Sequence, residues 1–262
     1  MPPSTTIPPR EPGDVINRYD KRPSPIGRTL FTLFRALDPV VQYSILSSSF
    51  PILGLRRLPP GPPLSSPYAL GLSPHRLLLL LMATGSSVKQ IMWLHFIDEK
   101  RMAPSGALIT GGWNIFVNSL NTVLSTLPLL STAGSPSEAL SPIPAPVLVG
   151  VCMYIVGNVL ETASEVQRKL FKMDKRNNGK VYNKGLFATA RHVNFGGYTL
   201  WRCGFTLAAA GWAPAAGMFV FLLWAFTNNG IPALDNYCAK RYGQQWVDYR
   251  KQVPWKLWWG IF

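Results

Sequence analysis

The residues that best suit ligand chemistry lie between positions 161 and 198. Arg191 and His192 are followed by Asn194 and by a glycine pair that ends at Gly197. Glycines let a backbone approach a ligand closely, and neighbouring Arg and Lys side chains suit phosphate groups. The same composition also fits a solvated basic loop that leads into a helix, so both interpretations stay open.

A second group of candidate residues lies in the C-terminal tail. Asp235 and Tyr242 can share one helix face with Cys238, and Trp246 and Tyr249 can share another. Because Tyr and Trp favour the membrane interface, this tail fits an interfacial anchor. The tyrosines fit equally well against a cofactor.

Cysteine and histidine usage excludes two other kinds of site. Three cysteines are an odd and widely spaced set, which predicts neither a disulfide framework nor a zinc cluster. The three histidines make no ligand pair at helical spacing, so no metal site is predicted. These residues are Cys152, Cys203, Cys238, His75, His95 and His192.

The composition places these residues in a membrane protein. Hydrophobic residues make up 47% of the 262-residue chain and charged residues 15%, against about 25% charged residues in an average soluble domain. The net charge of +14 is divided among clusters between long apolar runs. Nucleic-acid binding is therefore excluded, because it requires a continuous basic face.

The apolar runs predict an all-α, polytopic integral membrane protein with five or six transmembrane helices. Residues 1–28 are rich in proline and predict a disordered tail, followed by one transmembrane domain over 29–262. Lys89 inside a span should reach the interface or face a cavity. The segments are 30–55 (a span or a surface helix), 77–97, 107–130, 146–160, and a helical hairpin over 199–226 that turns near 211–214.

The Lys and Arg counts predict the orientation. The basic loop at 161–198 and the tail after Phe226 should be cytosolic, and the loop at 131–145, which has no Lys or Arg, should lie on the far side. We expect the endoplasmic reticulum as the location. The sequence leaves the oligomeric state open.

Two motifs in this basic part carry a family resemblance. The tail run Cys238-x-x-Arg241-Tyr242-Gly243-x-x-Trp246-x-x-Tyr249 resembles the C-terminus of the sterol delta-14 and delta-7 reductases. The loop resembles the membrane family of unknown function that is grouped with steroid 5-alpha-reductases, and the matching residues are Gln167, Phe171-Lys172, Asn178-Gly179-Lys180, Gly185-Leu186-Phe187 and Arg191-His192-Val193-Asn194. The resemblance covers residues 161–262.

This resemblance implies an oxidoreductase that reduces a carbon–carbon double bond of a sterol-like or other lipid with NADPH. The spans would enclose the lipid, while the loop and the tail would hold the cofactor. Carried over by position, the residues implied to bind NADPH are Lys172, Arg191, His192, Asn194, Gly197, Asp235, Tyr242, Trp246 and Tyr249.

The sequence departs from the reductase pattern at the residues that would do the chemistry. Residues 229–234 replace a segment that carries two phosphate-binding arginines in the sterol reductases, and Tyr198 replaces the acid that follows the loop glycine. Tyr198 is therefore the implied proton donor, although a phenol has a reference pKa of about 10.

Two other functions remain open. The isoprenylcysteine and phospholipid methyltransferases share the hairpin and a similar loop, and they use S-adenosylmethionine. They carry a Glu-Glu pair in the tail helix, where this chain has Leu234-Asp235. The third alternative is a non-catalytic membrane scaffold that retains the fold.

Overall fold

The described part of the chain is helical. The computed structural model describes residues 7–48, 57–59, 61–132 and 143–262, and within them it contains eight α-helices and no strand. We number them α1 (Pro25–Ser47), α2 (Pro74–Met92), α3 (Pro104–Leu124), α4 (Ala145–Met173), α5 (Val193–Ala210), α6 (Trp212–Ala225), α7 (Ile231–Tyr242) and α8 (Gln244–Gln252). Short π-helical turns, Trp93–Ile97 and Phe226–Gly230, extend α2 and connect α6 to α7.

Prolines determine where many of these helices begin. A proline occupies one of the first two positions of α1, α2, α3, α4 and α7. The N–H group of a residue in the first helical turn has no partner inside the helix, so proline loses nothing there. The proline-rich connections thus set the N-terminal ends of the apolar segments.

Within the described part of the chain, three helical segments are long and apolar enough to cross a membrane. They are Pro74–Ile97, Ala145–Met173 and Trp212–Tyr242, which confirms the apolar helices predicted over 77–97 and 146–160. The count of five or six spans stays a prediction. Residues 49–56, in the second half of the first predicted segment, and 133–142, in the predicted far-side loop, lie outside the described residues.

The predicted hairpin is present. Helix α5 ends at Ala210, Gly211 has φ +81°, and α6 begins at Trp212 and packs against α5. Only glycine adopts this backbone conformation without strain, so one residue suffices to reverse the chain. The turn fixes the start of α5, where the Arg191–Asn194 motif lies, relative to the tail that follows α6.

Helices α4 and α5 form the most extensive helix pair of the structure, and glycines form their interface. A Cβ atom added at Gly157 would lie 2.4 Å from the backbone nitrogen of Trp201, and one added at Gly204 would lie 2.5 Å from the carbonyl oxygen of Gly150. Small residues allow such close backbone packing between membrane helices. This pair carries the loop motif on one side and Glu165 on the other.

A buried polar network joins α1, α2, α3 and α5. Asp38 accepts hydrogen bonds from Arg35 Nη1 at 3.0 Å, Gln42 Nε2 at 2.8 Å and Asn118 Nδ2 at 2.6 Å. Arg202 Nη1 donates to Asn118 Oδ1 at 2.9 Å. Asp38 and Arg35 are fully buried, so removing either partner would leave an uncompensated buried charge.

Residues 7–24 lie against the bundle and are held there by tertiary contacts. Glu11 is 4% exposed and pairs with Lys240 of α7. Asp20 accepts the backbone N–H of Arg101 at 2.8 Å through its carbonyl oxygen. Ion pairs with distant residues hold this segment, which has little apolar surface of its own. The disordered tail over 1–28 stays a prediction, and its residues 1–6 lie outside the described residues.

Candidate functional site

A polar cleft of about 300 Å³ opens where the basic loop, the tail helices and residues 7–24 meet. Its walls come from the cytosol-facing end predicted for α4, from the 178–191 loop, from α7 and α8, and from the turn after α2. Eight of its lining side chains are Lys or Arg, and three are Asp or Glu. The charged residues are Arg18, Lys21, Asp98, Glu99, Lys100, Glu165, Arg168, Lys169, Lys172, Arg191 and Arg241.

Aromatic rings form the remainder of the wall. Trp246 packs against Tyr249 with ring centroids 5.3 Å apart, and Tyr182 lies 5.7 Å from Phe187. Lys172 Nζ lies 4.6 Å from the ring centroid of Tyr242. A cleft with aromatic walls and an excess of cations suits a ligand that contains both a flat ring and an anionic group.

Arg191 attaches the loop motif to the tail. Its Nη1 donates to the carbonyl oxygens of Val253 at 2.7 Å and Pro254 at 3.0 Å, and its backbone N–H donates to Trp255 at 3.0 Å. The two motifs found in the sequence therefore meet in space. The Nη1 group of Arg191 thus attaches the loop to the tail, whereas its buried Nε has no partner among the described residues.

His192 lies behind the cleft wall and pairs with Asp235. The imidazole Nε2 lies 3.0 Å from Asp235 Oδ1, and since a carboxylate only accepts, Nε2 carries the proton. Burial lowers the pKa of His192 against the opposing effect of Asp235, so the ring is neutral. Neither residue lines the cleft, and the pair joins the start of α5 to α7.

Asn194 and Lys172 belong to two hydrogen-bond chains that cross the site. Asn194 Nδ2 donates to Glu165 Oε1 at 2.7 Å, and Glu165 forms an ion pair with Arg168. Lys172 Nζ donates to Tyr242 Oη at 2.7 Å. Both chains connect α4 to the segments that carry the motifs, and Glu165, Arg168, Lys172 and Tyr242 all line the cleft.

Trp246 and Tyr249 both line the cleft, but they differ in whether their polar atom has a hydrogen-bond partner. The hydroxyl of Tyr249 donates to the Phe187 carbonyl at 2.6 Å, and burial raises its pKa. The indole Nε1–H of Trp246 is buried without a partner among the described residues. Buried donors are nearly always paired in native proteins, so Trp246 is a candidate for contact with a ligand.

Five predicted site residues are outside the cleft lining: His192, Asn194 and Asp235, described above, together with Tyr198 and Gly197. Tyr198 lies on α5, where its hydroxyl accepts from Arg202 Nε at 3.1 Å, and it is not among the cleft-lining residues. Gly197 lies in the α4–α5 interface, where an added Cβ would be 2.6 Å from the backbone nitrogen of Glu161. Its position therefore indicates a packing role.

Sequence reasoning missed several of the lining residues. Glu165 and Arg168 follow helical spacing and carried a detectable signal, but they were not assigned to the site. Arg18 and Lys21 lie in the proline-rich N-terminal segment, and no local pattern connects them to the tail. The other lining residues outside the predicted set include Tyr182, Phe187, Leu234, Tyr237, Cys238 and Arg241.

An apolar groove of about 540 Å³ between α2 and α4 adjoins the cleft. Lys89 lines it and forms an ion pair with Glu161, in agreement with the expectation that this lysine would face a cavity. Ile97, Glu165 and Lys169 line both the groove and the cleft. A ligand in the cleft and an apolar molecule in the groove would therefore meet at these three residues.

Comparison with known proteins identifies the family. The apolar helices of the described residues indicate an integral membrane protein, and residues 113–253 match the family described as protein of unknown function DUF1295. The chain belongs to this family. It is also 37% identical over 237 residues to the probable O-methyltransferase ustE of Ustilaginoidea virens, a similarity that covers 87% of this chain and 84% of that protein.

More distant similarities cover about two fifths of the chain and come from two classes of enzyme. Protein-S-isoprenylcysteine O-methyltransferase B of Arabidopsis thaliana is 26% identical over 110 residues, which are 40% of this chain and 55% of that enzyme. A Delta(14)-sterol reductase of the same plant is 22% identical over 126 residues, which are 42% of this chain and 33% of that enzyme. The family is thus related to both classes.

Proposed function

We propose that this protein is a membrane-bound O-methyltransferase that uses S-adenosylmethionine and acts on an apolar, lipid-like substrate. The observation that carries the proposal is the 37% identity to a probable O-methyltransferase along most of both chains. The similarity to the reductase covers a third of that enzyme. The geometry of the cleft agrees with methyl transfer in three respects.

The first respect is the fit of the cofactor. S-adenosylmethionine combines an adenine ring, ribose hydroxyls, a sulfonium cation and an amino-acid group. Aromatic walls suit the ring and the sulfonium, and the cations suit the carboxylate. The unpartnered Trp246 Nε1 and Arg191 Nε supply hydrogen-bond donors at the wall. A cleft of about 300 Å³ lies within the size range of known ligand pockets.

The second respect is the chemistry that the residues must perform. The bound cofactor would supply a sulfonium methyl group. A substrate oxygen would attack the methyl carbon, so that an oxygen–carbon bond forms as the sulfur–carbon bond breaks and S-adenosylhomocysteine leaves. The protein has to orient the two molecules and exclude water. A substrate carboxylate needs no general base, and Lys169 at the junction of groove and cleft offers a cation to hold one. Alkene reduction needs a proton donor, and the residue implied for that role, Tyr198, lies outside the cleft.

The third respect is access from the membrane. The groove between α2 and α4 is formed mainly by apolar side chains such as Met92, Phe96 and Leu170. An apolar substrate would occupy this groove and present its oxygen at Ile97, Glu165 and Lys169. Substrates of this kind partition into the bilayer, and we infer that the reaction takes place at the membrane surface.

A reductase that uses NADPH is the second candidate. The excess of Lys and Arg around the cleft, including Lys172 and Arg241, favours it because phosphate groups are recognised by such side chains. The asparagine–glycine–lysine turn at 178–180 also contributes to the cleft through its first two residues. Cofactor binding distinguishes the two candidates.

Replacing Trp246 by phenylalanine tests the proposal. We expect Trp246→Phe to lower the affinity for S-adenosylhomocysteine about tenfold, because a hydrogen bond contributes roughly 1.4 kcal/mol and that energy is a factor of ten. Stability without ligand should fall modestly, because Trp246 is 4% exposed and the smaller ring leaves a cavity, so each ligand-dependent shift is taken from the variant's own ligand-free unfolding. The measurement is ligand-dependent thermal unfolding of the purified protein in detergent, with NADPH as the competing ligand.

Trp259→Phe is the matched control, because Trp259 is 73% exposed and does not line the cleft. It should bind S-adenosylhomocysteine as the parent does. Stabilisation of the parent protein by NADPH and not by S-adenosylhomocysteine would reject the methyltransferase and support the reductase. A hundredfold excess over the dissociation constant raises stability by about 2.7 kcal/mol, so the two outcomes are well separated.

A further inference from the structure

The segment 7–24, here called the N-terminal strap, is attached to α7 at one end. Glu11 accepts hydrogen bonds from Lys240 Nζ at 2.8 Å and 3.0 Å and from Tyr19 Oη at 2.7 Å. The ring of Tyr19 lies 5.0 Å from that of Tyr237. These interactions lower the pKa of Glu11, so Glu11 is ionised at neutral pH and the attachment is a charged one.

The other end of the strap is attached to the turn that follows α2. Asp20 accepts from the backbone of Arg101 at 2.8 Å, and Lys21 Nζ donates to Glu99 Oε2 at 2.8 Å. Because α7 and this turn form different walls of the cleft, the strap bridges them. Its middle part therefore closes one side of the cleft.

Arg18 is the residue of this middle part that best suits a ligand. It lines the cleft, and its side chain is 20% exposed. Asp14 accepts from its Nε at 2.5 Å and from its Nη2 at 3.1 Å. A guanidinium has five N–H donors in a planar fork. Asp14 thus fixes the orientation of the group and leaves other N–H donors for a ligand.

The other basic residues of the strap suit this role less well. Lys21 also lines the cleft, but its side chain is 54% exposed and is paired with Glu99. Arg10 and Arg22 are not among the lining residues. The cleft lining also contains Arg168, Lys172 and Arg241, together with aromatic rings. A carboxylate or phosphate in the cleft would thus meet cations from both the bundle and the strap.

We propose that Arg18, held by Asp14, binds the anionic oxygen group of the cofactor, and that the strap is an integral wall of the cofactor site. This inference rests on the proposed function, in which the anionic group is the carboxylate of S-adenosylmethionine. In a reductase the same chemistry would come from a phosphate of NADPH. Arg18 supplies from the N-terminus a cation that the sequence around 229–234 does not provide.

The test measures binding by calorimetry to the full-length protein in detergent. The ligands are S-adenosylhomocysteine, methylthioadenosine (which lacks the carboxylate) and NADPH. Arg18→Ala should weaken S-adenosylhomocysteine binding about tenfold to a hundredfold, as expected for a charge-assisted hydrogen bond, and leave methylthioadenosine binding unchanged. Arg10→Ala, which removes the same charge from an exposed strap position, should bind every ligand as the parent does.

Asp14→Asn separates ligand binding from a structural role. If Arg18 acts on the ligand, this variant loses less S-adenosylhomocysteine affinity than Arg18→Ala does, because the guanidinium stays in the cleft but is less firmly oriented. Equal losses in Asp14→Asn and Arg18→Ala would overturn the inference, as would a loss of methylthioadenosine binding in Arg18→Ala. No loss at all in Arg18→Ala would overturn it too.

The outcomes also separate this inference from the proposed function. If the parent protein binds NADPH and not S-adenosylhomocysteine, the methyltransferase is rejected, and a tenfold loss of NADPH affinity in Arg18→Ala would still support the role of Arg18. If the parent binds neither ligand, both proposals are overturned.

Discussion

Replacing Gly157 by alanine is expected to cost about 3 kcal/mol of stability or more. The added Cβ would lie 2.4 Å from the backbone nitrogen of Trp201 and 2.7 Å from the carbonyl oxygen of Gly197. Overpacking costs about 1–3 kcal/mol where side chains can move aside. Backbone atoms of a packed helix pair cannot, so α4 and α5 have to separate.

The measurement for Gly157 is unfolding in detergent, followed by circular dichroism and by size-exclusion chromatography of the folded fraction. Gly112→Ala is the matched control, because Gly112 is also a helical glycine and its added Cβ meets nothing within 4 Å. That control should be as stable as the parent or gain up to about 1 kcal/mol. A Gly157→Ala variant as stable as Gly112→Ala would show that the close α4–α5 packing is wrong.

The second large effect is expected at Asp38. In Asp38→Asn the fully buried Arg35 loses its ion-pair partner, and breaking a buried pair on one side costs about 3–5 kcal/mol. Arg202 belongs to the same network through Asn118, so two buried cations would remain without an anion there. Unfolding in detergent measures this loss.

Two comparisons sharpen the Asp38 prediction. Asp174→Asn breaks an exposed pair with Arg176 and should cost no more than about 1 kcal/mol. Combining Asp38→Asn with Arg35→Gln should recover part of the loss, because it removes the uncompensated charge. If Asp38→Asn were no more damaging than Asp174→Asn, the buried polar network would not contribute to stability.

The sequence was most informative where a signal is local. Long apolar runs predicted α2 and α4, and the single glycine between two apolar stretches predicted the hairpin. The motifs around Arg191 and Tyr249 predicted two parts of one site, and the structure brings them together through the bond from Arg191 to Val253. Each of these features is encoded within about 30 consecutive residues.

The features that were not predicted depend on residues far apart in the chain. Glu11 and Lys240 are separated by 229 positions, and nothing near Glu11 indicates a partner. The buried network was visible only as Arg35 and Asp38 in an apolar segment, where they counted against a span. Charged residues in an apolar segment can form a buried pair or can interrupt a membrane span. Only the packing of α1 against α3 decides between these interpretations.

The role of Tyr198 also required the structure. Its position after the glycine pair implied a proton donor, but helix α5 turns the side chain toward Arg202 and away from the cleft. One residue along a helix changes direction by about 100°. The glycines of this motif can therefore pack against α4 while the next residue, Tyr198, points to a different part of the bundle.

Radiolabelled S-adenosylmethionine tests most directly whether this membrane protein transfers methyl groups. Membranes that contain the protein should transfer label into their organic extract, Trp259→Phe membranes should do the same, and Trp246→Phe membranes should transfer clearly less at limiting cofactor. Methyl transfer would be contradicted if the extract held no more label than that of membranes without the protein, and if the protein instead oxidised NADPH.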